Sequence, residues 1–147
     1  MAKTNWAILL VAFTSFPAAA DTAEDLDSWF REGYAALYVE DSWEHADEFA
    51  QYFAPIIWDR SDEGLVESDV NGFVIDLLDG WRDDGWLGTD IAKLDTKLLN
   101  ATTAVFDVKW MDRIADGSTA YECGWYLADK VEGKWLLSQW IATECAD

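Results

Sequence analysis

Asp59 and Asp62 bracket Arg60, an arrangement that serves either as an acid/base pair oriented by a guanidinium or as a plain surface salt bridge. Tyr34, Tyr38 and Tyr121 carry hydroxyls that either point into a pocket or belong to core tyrosines whose tips reach water. His45 is the single histidine. It stands among Glu44, Asp47 and Glu48, off the apolar stripe of its segment, which is the place of a solvated residue and not of a buried general base. One histidine and two distant cysteines give no zinc spacing, and the acidic residues lack the Asp-x-Asp-x-Asp-Gly order of a calcium loop. The run DGWRDDGW, Asp79 to Trp86, is acidic and punctuated by glycine, and it reads as the exit from a helix and not as an ion site. Neither a metal nor a cofactor is expected.

The chain starts with Lys3, an apolar run from Trp6 to Phe16, then Pro17 and three alanines. That order predicts a signal peptide over residues 1–20, cut after Ala20, and a protein exported to the periplasm or the medium. The apolar run is far shorter than the roughly 20 residues of a spanning helix, so membrane insertion is not expected. Cleavage would leave 127 of the 147 residues as one domain and, by removing Lys3, take the formal charge from −19 to −20. Such acidity argues against nucleic acid and anionic membrane surfaces as partners, since both demand a positive face. Ten tryptophans and 51% hydrophobic residues exclude disorder, and they exceed what closing so small a core requires. The surplus predicts a lined cavity, an interface, or both.

Apolar residues at three- and four-residue spacing predict helices over about 22–40, 42–53 and 68–81. APIIWDRSDEGLVESD, from Ala54, reads as a strand, a turn and a return. Four strands follow, at about 90–99, 102–113, 118–129 and 134–143. Helices followed by antiparallel strands imply an α+β fold with the helices against one face of a curved sheet. With Asp116-Gly117 as a two-residue turn, Phe106, Val108 and Trp110 share a face with Tyr121, Cys123, Trp125 and Leu127. A four-residue loop at Lys130–Gly133 continues that inner face into Leu136, Ser138, Trp140 and Ala142, whereas a three-residue loop would exchange the faces of the last strand. The opposite face then holds Glu122, Tyr126, Trp135, Leu137 and Ile141. In this register Cys145 lies about 16 Å of extended strand beyond the residue opposite Cys123. The disulfide expected of an exported protein therefore requires the tail to turn back.

The order of elements, with YAALYVED and FAQYFAP leading and the hairpin VKWMDRIADGSTAYECGWYLADKVEGKWLLSQW closing, resembles the nuclear transport factor 2-like superfamily and, within it, the SnoaL-like proteins. The resemblance covers almost all of residues 21–147 and implies a cone-shaped roll around a pocket. It places Asp59, Arg60 and Asp62 at the pocket mouth. Superfamily enzymes of the ketosteroid isomerase type use a tyrosine on the first helix, an aspartate ending the first strand and a protonated aspartate on a later strand. Here Gly33 stands at the tyrosine position with Tyr34 beside it, Asp59 and Asp62 bracket the first aspartate, and Trp125 replaces the second.

The pocket is accordingly expected to be formed by Tyr34, Tyr38, Phe53, Trp58, Phe106, Trp110, Tyr121, Trp125 and Trp140, free of carboxylates, and to bind a small apolar or aromatic molecule. The alternatives are an isomerase, cyclase or hydrolase using Asp59 or Asp62 with Tyr34 or Tyr38, and a structural domain whose cone is filled. A carboxylate inside an open cone would favour the enzyme. A homodimer is expected through the outer sheet face, on Tyr126, Trp135, Leu137 and Ile141, since superfamily members commonly pair there.

Overall fold

The computed structural model describes residues 21–145 apart from 62, 63 and 84, and for Asp59 and Ser61 the backbone only. The predicted signal peptide and Asp62 lie outside the described residues. α1, Ala23–Ser28, opens with a capping box: Thr22 Oγ1 accepts from the Asp25 N–H at 3.1 Å, and the Asp25 carboxylate accepts from the Thr22 N–H at 2.8 Å. The helical run continues through a wide turn, Trp29–Tyr34, and a tight one, Ala35–Leu37. Leu26, Phe30, Tyr34 and Tyr38, each four residues from the last, are all buried along this run. A tight turn, Ser42–His45, leads into α2, Ala46–Ala50, and α3 is Val70–Asp83.

The strands are β1, Phe53–Ser61; β2, Gly64–Asp69; β3, Trp86–Asn100; β4, Thr103–Ile114; β5, Thr119–Val131; and β6, Lys134–Thr143. They form one sheet in the order β2-β1-β6-β5-β4-β3. Every ladder is antiparallel except β1 with β6, which is parallel. The α+β class and helix-on-curved-sheet arrangement expected from the sequence are present. Phe30, Tyr34 and Phe106 fill the middle of the cone, with Phe30 and Phe106 stacked at 4.6 Å between ring centroids.

Two turns differ from expectation, and the first inverts a strand. The β4–β5 ladder pairs Arg113 with Thr119, Trp110 with Glu122, Val108 with Gly124 and Phe106 with Tyr126, one residue away from the expected register. The Ile114 N–H donates to the Ser118 carbonyl at 3.1 Å, so Ala115-Asp116-Gly117 closes as a three-residue turn with Gly117 at φ +85°. A slip of one residue moves a whole strand to the other face. Tyr126 and Gly124 are thereby buried, whereas Tyr121 and Trp125, expected inside, are 51% and 48% exposed on the outer face.

The β5–β6 turn is also shorter than expected. Val131 pairs with Lys134, so Glu132 and Gly133, at φ 51° and 82°, make a two-residue turn of the kind that matches strand twist. A register shift between Leu127 and Ala128 then lets β6 bury Leu137 ahead of it and pair Trp140 with Tyr126 beyond it. The outer patch expected for dimerisation is consequently dismantled: Tyr126 and Leu137 are core residues, and Trp135, partly buried, donates its Nε1–H to Asp21 at 2.9 Å. The same changes place Thr143 opposite Cys123, and Cys123 and Cys145 are bonded with their Cα atoms 5.2 Å apart. The tail needs only a short bend past the end of β6.

Candidate functional site

α1 and its continuation hold Tyr34 and Tyr38 four residues apart, and β5 brings Tyr126 across to them. The Tyr34 hydroxyl contacts that of Tyr38 and lies 3.1 Å from that of Tyr126, with Tyr38 and Tyr126 at 3.5 Å. Burial, reinforced by the neighbouring Tyr126, pushes the Tyr34 and Tyr38 phenols well above 10.0. Burial likewise pushes Tyr126 up to about 12. All three are neutral hydroxyls occupied with one another, which leaves them little capacity as an oxyanion site.

The Tyr38 ring stacks on Trp110 at 4.8 Å, and the Thr89 N–H donates to the Tyr38 carbonyl at 3.1 Å, which ties the end of the helical run to the start of β3. Trp86 Nε1–H donates to Thr89 Oγ1 at 2.7 Å, and the Thr89 hydroxyl donates in turn to Asp112 Oδ1. Thr89 and Asp112 are both buried. Glu122, across the β4–β5 ladder beside Trp110, is on the same face. Desolvation raises its carboxyl above the ordinary value, and the charge of Asp112 raises it further.

These groups border a half-open cleft of about 150 Å³ between α3 and the sheet. Its walls are Tyr38, Trp81, Trp110, Tyr126 and Trp140, with Phe73 and Leu77 of α3 above. Asp112, Glu122 and Thr89 form its polar edge. Of the nine expected pocket residues, only Tyr38, Trp110 and Trp140 line it. Tyr34 and Phe106 are packed in the core behind, and Phe53 is buried beside a separate groove with Trp29, Tyr52 and Trp135. Trp58, partly buried, pairs with Glu67 and Gln139 one residue along from the buried Ile57, and so turns to the outer face with Tyr121 and Trp125.

The expected pocket mouth falls largely outside the described residues. Arg60 is exposed and pairs with Leu65 and Ile141; Asp59 pairs with Trp140 in the ladder, but its side chain is outside the described residues, as is Asp62. Gly33 has a packing reason of its own, since a β-carbon there would meet the Tyr52 hydroxyl at 2.7 Å. His45 is exposed and paired with Glu48 at 3.1 Å. Among the described residues no three His, Cys, Asp or Glu side chains gather where a metal could be held, and no helix is long and apolar enough to cross a membrane.

The carboxylates of the cleft, Asp112 and Glu122, were not singled out from the sequence. Their signal was present in the alternation of β4 and β5, where Trp110, Asp112, Glu122 and Tyr126 all fall on the buried parity once the turn has three residues.

Several solved structures share this architecture. An NTF-2 like protein of unknown function from Shewanella oneidensis superimposes with a TM-score of 0.63 at 13% identity, covering 84% of this chain and 100% of that one. A protein with a cystatin-like fold from Caulobacter vibrioides gives 0.65 at 14%, covering 84% and 90%. The association domain of C. elegans CaMKII gives 0.60 at 11%, covering 82% and 94%. This chain has the nuclear transport factor 2-like fold. No protein-family profile and no curated protein matches its sequence. The cleft lies between α3 and the sheet, with Trp81 and Trp140 in its lining.

Proposed function

We propose that the protein is an exported binding domain of the SnoaL-like kind that holds a small molecule with an apolar body in the cone cleft. The observation that carries this reading is the cleft itself: about 150 Å³, the size of a cavity that takes one benzene ring, walled by Tyr38, Trp81, Trp110 and Trp140. Export is supported by the leader-like residues 1–20 and by the Cys123–Cys145 bond, which belongs to an oxidising compartment. Titration with benzyl alcohol, followed by tryptophan emission and calorimetry, should give a saturable one-site change that Trp81→Ala and Trp140→Ala weaken. Absence of saturation in the wild type rejects the reading.

A second reading is favoured by the carboxylates. Glu122, with its raised pKa, and Asp112 beside it are positioned for proton transfer at the cleft edge, in place of the Asp59 and Asp62 suggested by the sequence. A turnover abolished by Glu122→Gln with binding intact would establish it.

Self-association through the outer sheet face belongs to the same proposal, on a different patch from the one expected. Trp125 and Tyr121 are about half exposed there, and Trp125 stands opposite Ile141 in the ladder. A likeness to a domain named for association accords with this.

A further inference from the structure

The cleft joins two features that ordinarily exclude one another, indole walls and an edge of acid. Its lining includes Asp112 and Glu122 but no Lys, Arg or His. Neither carboxyl takes part in an ion pair among the described residues. Asp112 is only 9% exposed, and its Oδ1 is taken by the Thr89 hydroxyl. Its other oxygen receives no hydrogen bond from the described residues and is not fully buried, and Asp112 lines the cleft. Glu122 has no partner among the described residues either, and desolvation, with the Asp112 charge added, makes it hold its proton more tightly.

A buried carboxyl with one oxygen unpartnered, Asp112, is costly to keep charged against aromatic rings, and Glu122 beside it adds a second negative charge. Either a proton or a bound cation removes the cost. The rings favour the second, because the faces of tryptophan and tyrosine attract positive charge, and Tyr38, Trp81, Trp110 and Trp140 border the same space. An anion would meet two carboxyls, with the Thr89, Tyr38 and Tyr126 hydroxyls already engaged with Asp112 or with one another and only neutral indole N–H groups left to donate. A metal ion is poorly served, since two carboxyls and indole walls do not make an oxygen cage. The surrounding charge of −19 draws cations toward the mouth.

We propose that the cleft selects a small organic cation, an ammonium group carrying one apolar substituent, with the ammonium between Asp112 and Glu122 and the substituent against Trp81, Trp110 and Trp140. This rests on the small-molecule reading above and names its ligand class. The ammonium would donate to the open Asp112 oxygen and to Glu122, restoring the partners that the fold leaves out.

Benzylammonium and benzyl alcohol have nearly the same size and differ in charge, which makes them the probes. Calorimetry on the full chain at neutral pH should show benzylammonium binding about tenfold or more tighter than benzyl alcohol, the range of a partly desolvated charge contact. Glu122→Gln, a change at an exposed side chain, should remove most of that preference. Asp112→Asn, with circular dichroism to verify folding, should act in the same direction. Benzyl alcohol binding as tightly as benzylammonium, or a preference that survives Glu122→Gln, overturns the cation assignment and leaves the pocket standing. Saturable binding by neither probe overturns both.

Discussion

The Trp140 ring lies across Gly124, in space that a β-carbon on the neighbouring strand would fill. Built there, that atom would fall within 2.6 Å of both Trp140 Cζ3 and the Ile141 carbonyl oxygen, closer than real β-carbons approach anything. Gly124→Ala must therefore displace the indole that forms one wall of the cleft. It is expected to cost on the order of 1–3 kcal/mol in urea denaturation and to abolish benzyl alcohol binding. Unchanged stability and affinity would show that Trp140 is not seated as described.

The tyrosine cluster predicts a steep alkaline limit. Tyr34, Tyr38 and Tyr126 keep their protons in the folded state at pH values where an unfolded chain loses them. Their contribution to stability is complete below pH 10.0 and declines as pH rises toward about 12, because the unfolded state then releases protons that the native state retains. Tyrosinate absorbance should record these three phenols ionising together with loss of far-ultraviolet circular dichroism. Tyr34→Phe removes the shared hydroxyl and should cost about 1 kcal/mol.

Glu122 acts in the same sense at the acid end. Its carboxyl is raised above 4.5, so the folded state holds a proton that the unfolded state gives up, and stability falls as pH rises through that window. Glu122→Gln should match the wild type near pH 4 and exceed it at pH 7. Equal stabilities at both would mean that neither burial nor Asp112 weighs on this group.

Reduction should loosen the chain measurably. The Cys123–Cys145 bond closes 22 residues of separation, which includes all of β6. Thermal melts with and without reductant, alongside the Cys123→Ser, Cys145→Ser double variant, should differ by about 2–4 kcal/mol. A difference near zero would leave the bond without a structural role.

Light scattering tests the outer face. Trp125→Glu should reduce the mass to one chain if Trp125 lies at a dimer contact, whereas Trp135→Glu should chiefly destabilise, since Trp135 is tied to Asp21 and the core. A wild-type mass of one chain across micromolar concentrations removes the dimer.

The architecture was legible because helix periodicity at Leu26 to Tyr38 and Val70 to Trp81, followed by alternating strands, leaves few arrangements open. The site was not, for a reason internal to β5. Both parities of ECGWYLAD carry large apolar groups, Trp125 and Leu127 on one and Tyr126 with Ala128 on the other, so hydrophobicity could not choose between them. The choice fell to Ala115-Asp116-Gly117, which closes as readily on two residues as on three. From that turn followed the burial of Tyr126, the exposure of Trp125 and the entry of Glu122 into the cleft. The disulfide had the converse history: its pairing was expected, but the bend it required shrank once β6 slid along β5 to put Thr143 opposite Cys123.

β6 lies between β1 and β5, and this position sets an order of events. Until residues 134–143 have left the ribosome, β1 can pair only with β2, and the larger β3–β5 meander has nothing to join it to. The two halves of the sheet are thus stitched by the last of the described strands, through contacts spanning some eighty residues, such as Phe53 with Leu137 and Asp59 with Trp140. Long closures of that kind are slow. A nascent chain remains threadable until β6 emerges, and one cut before β6 would keep an open seam between its halves however long it waited.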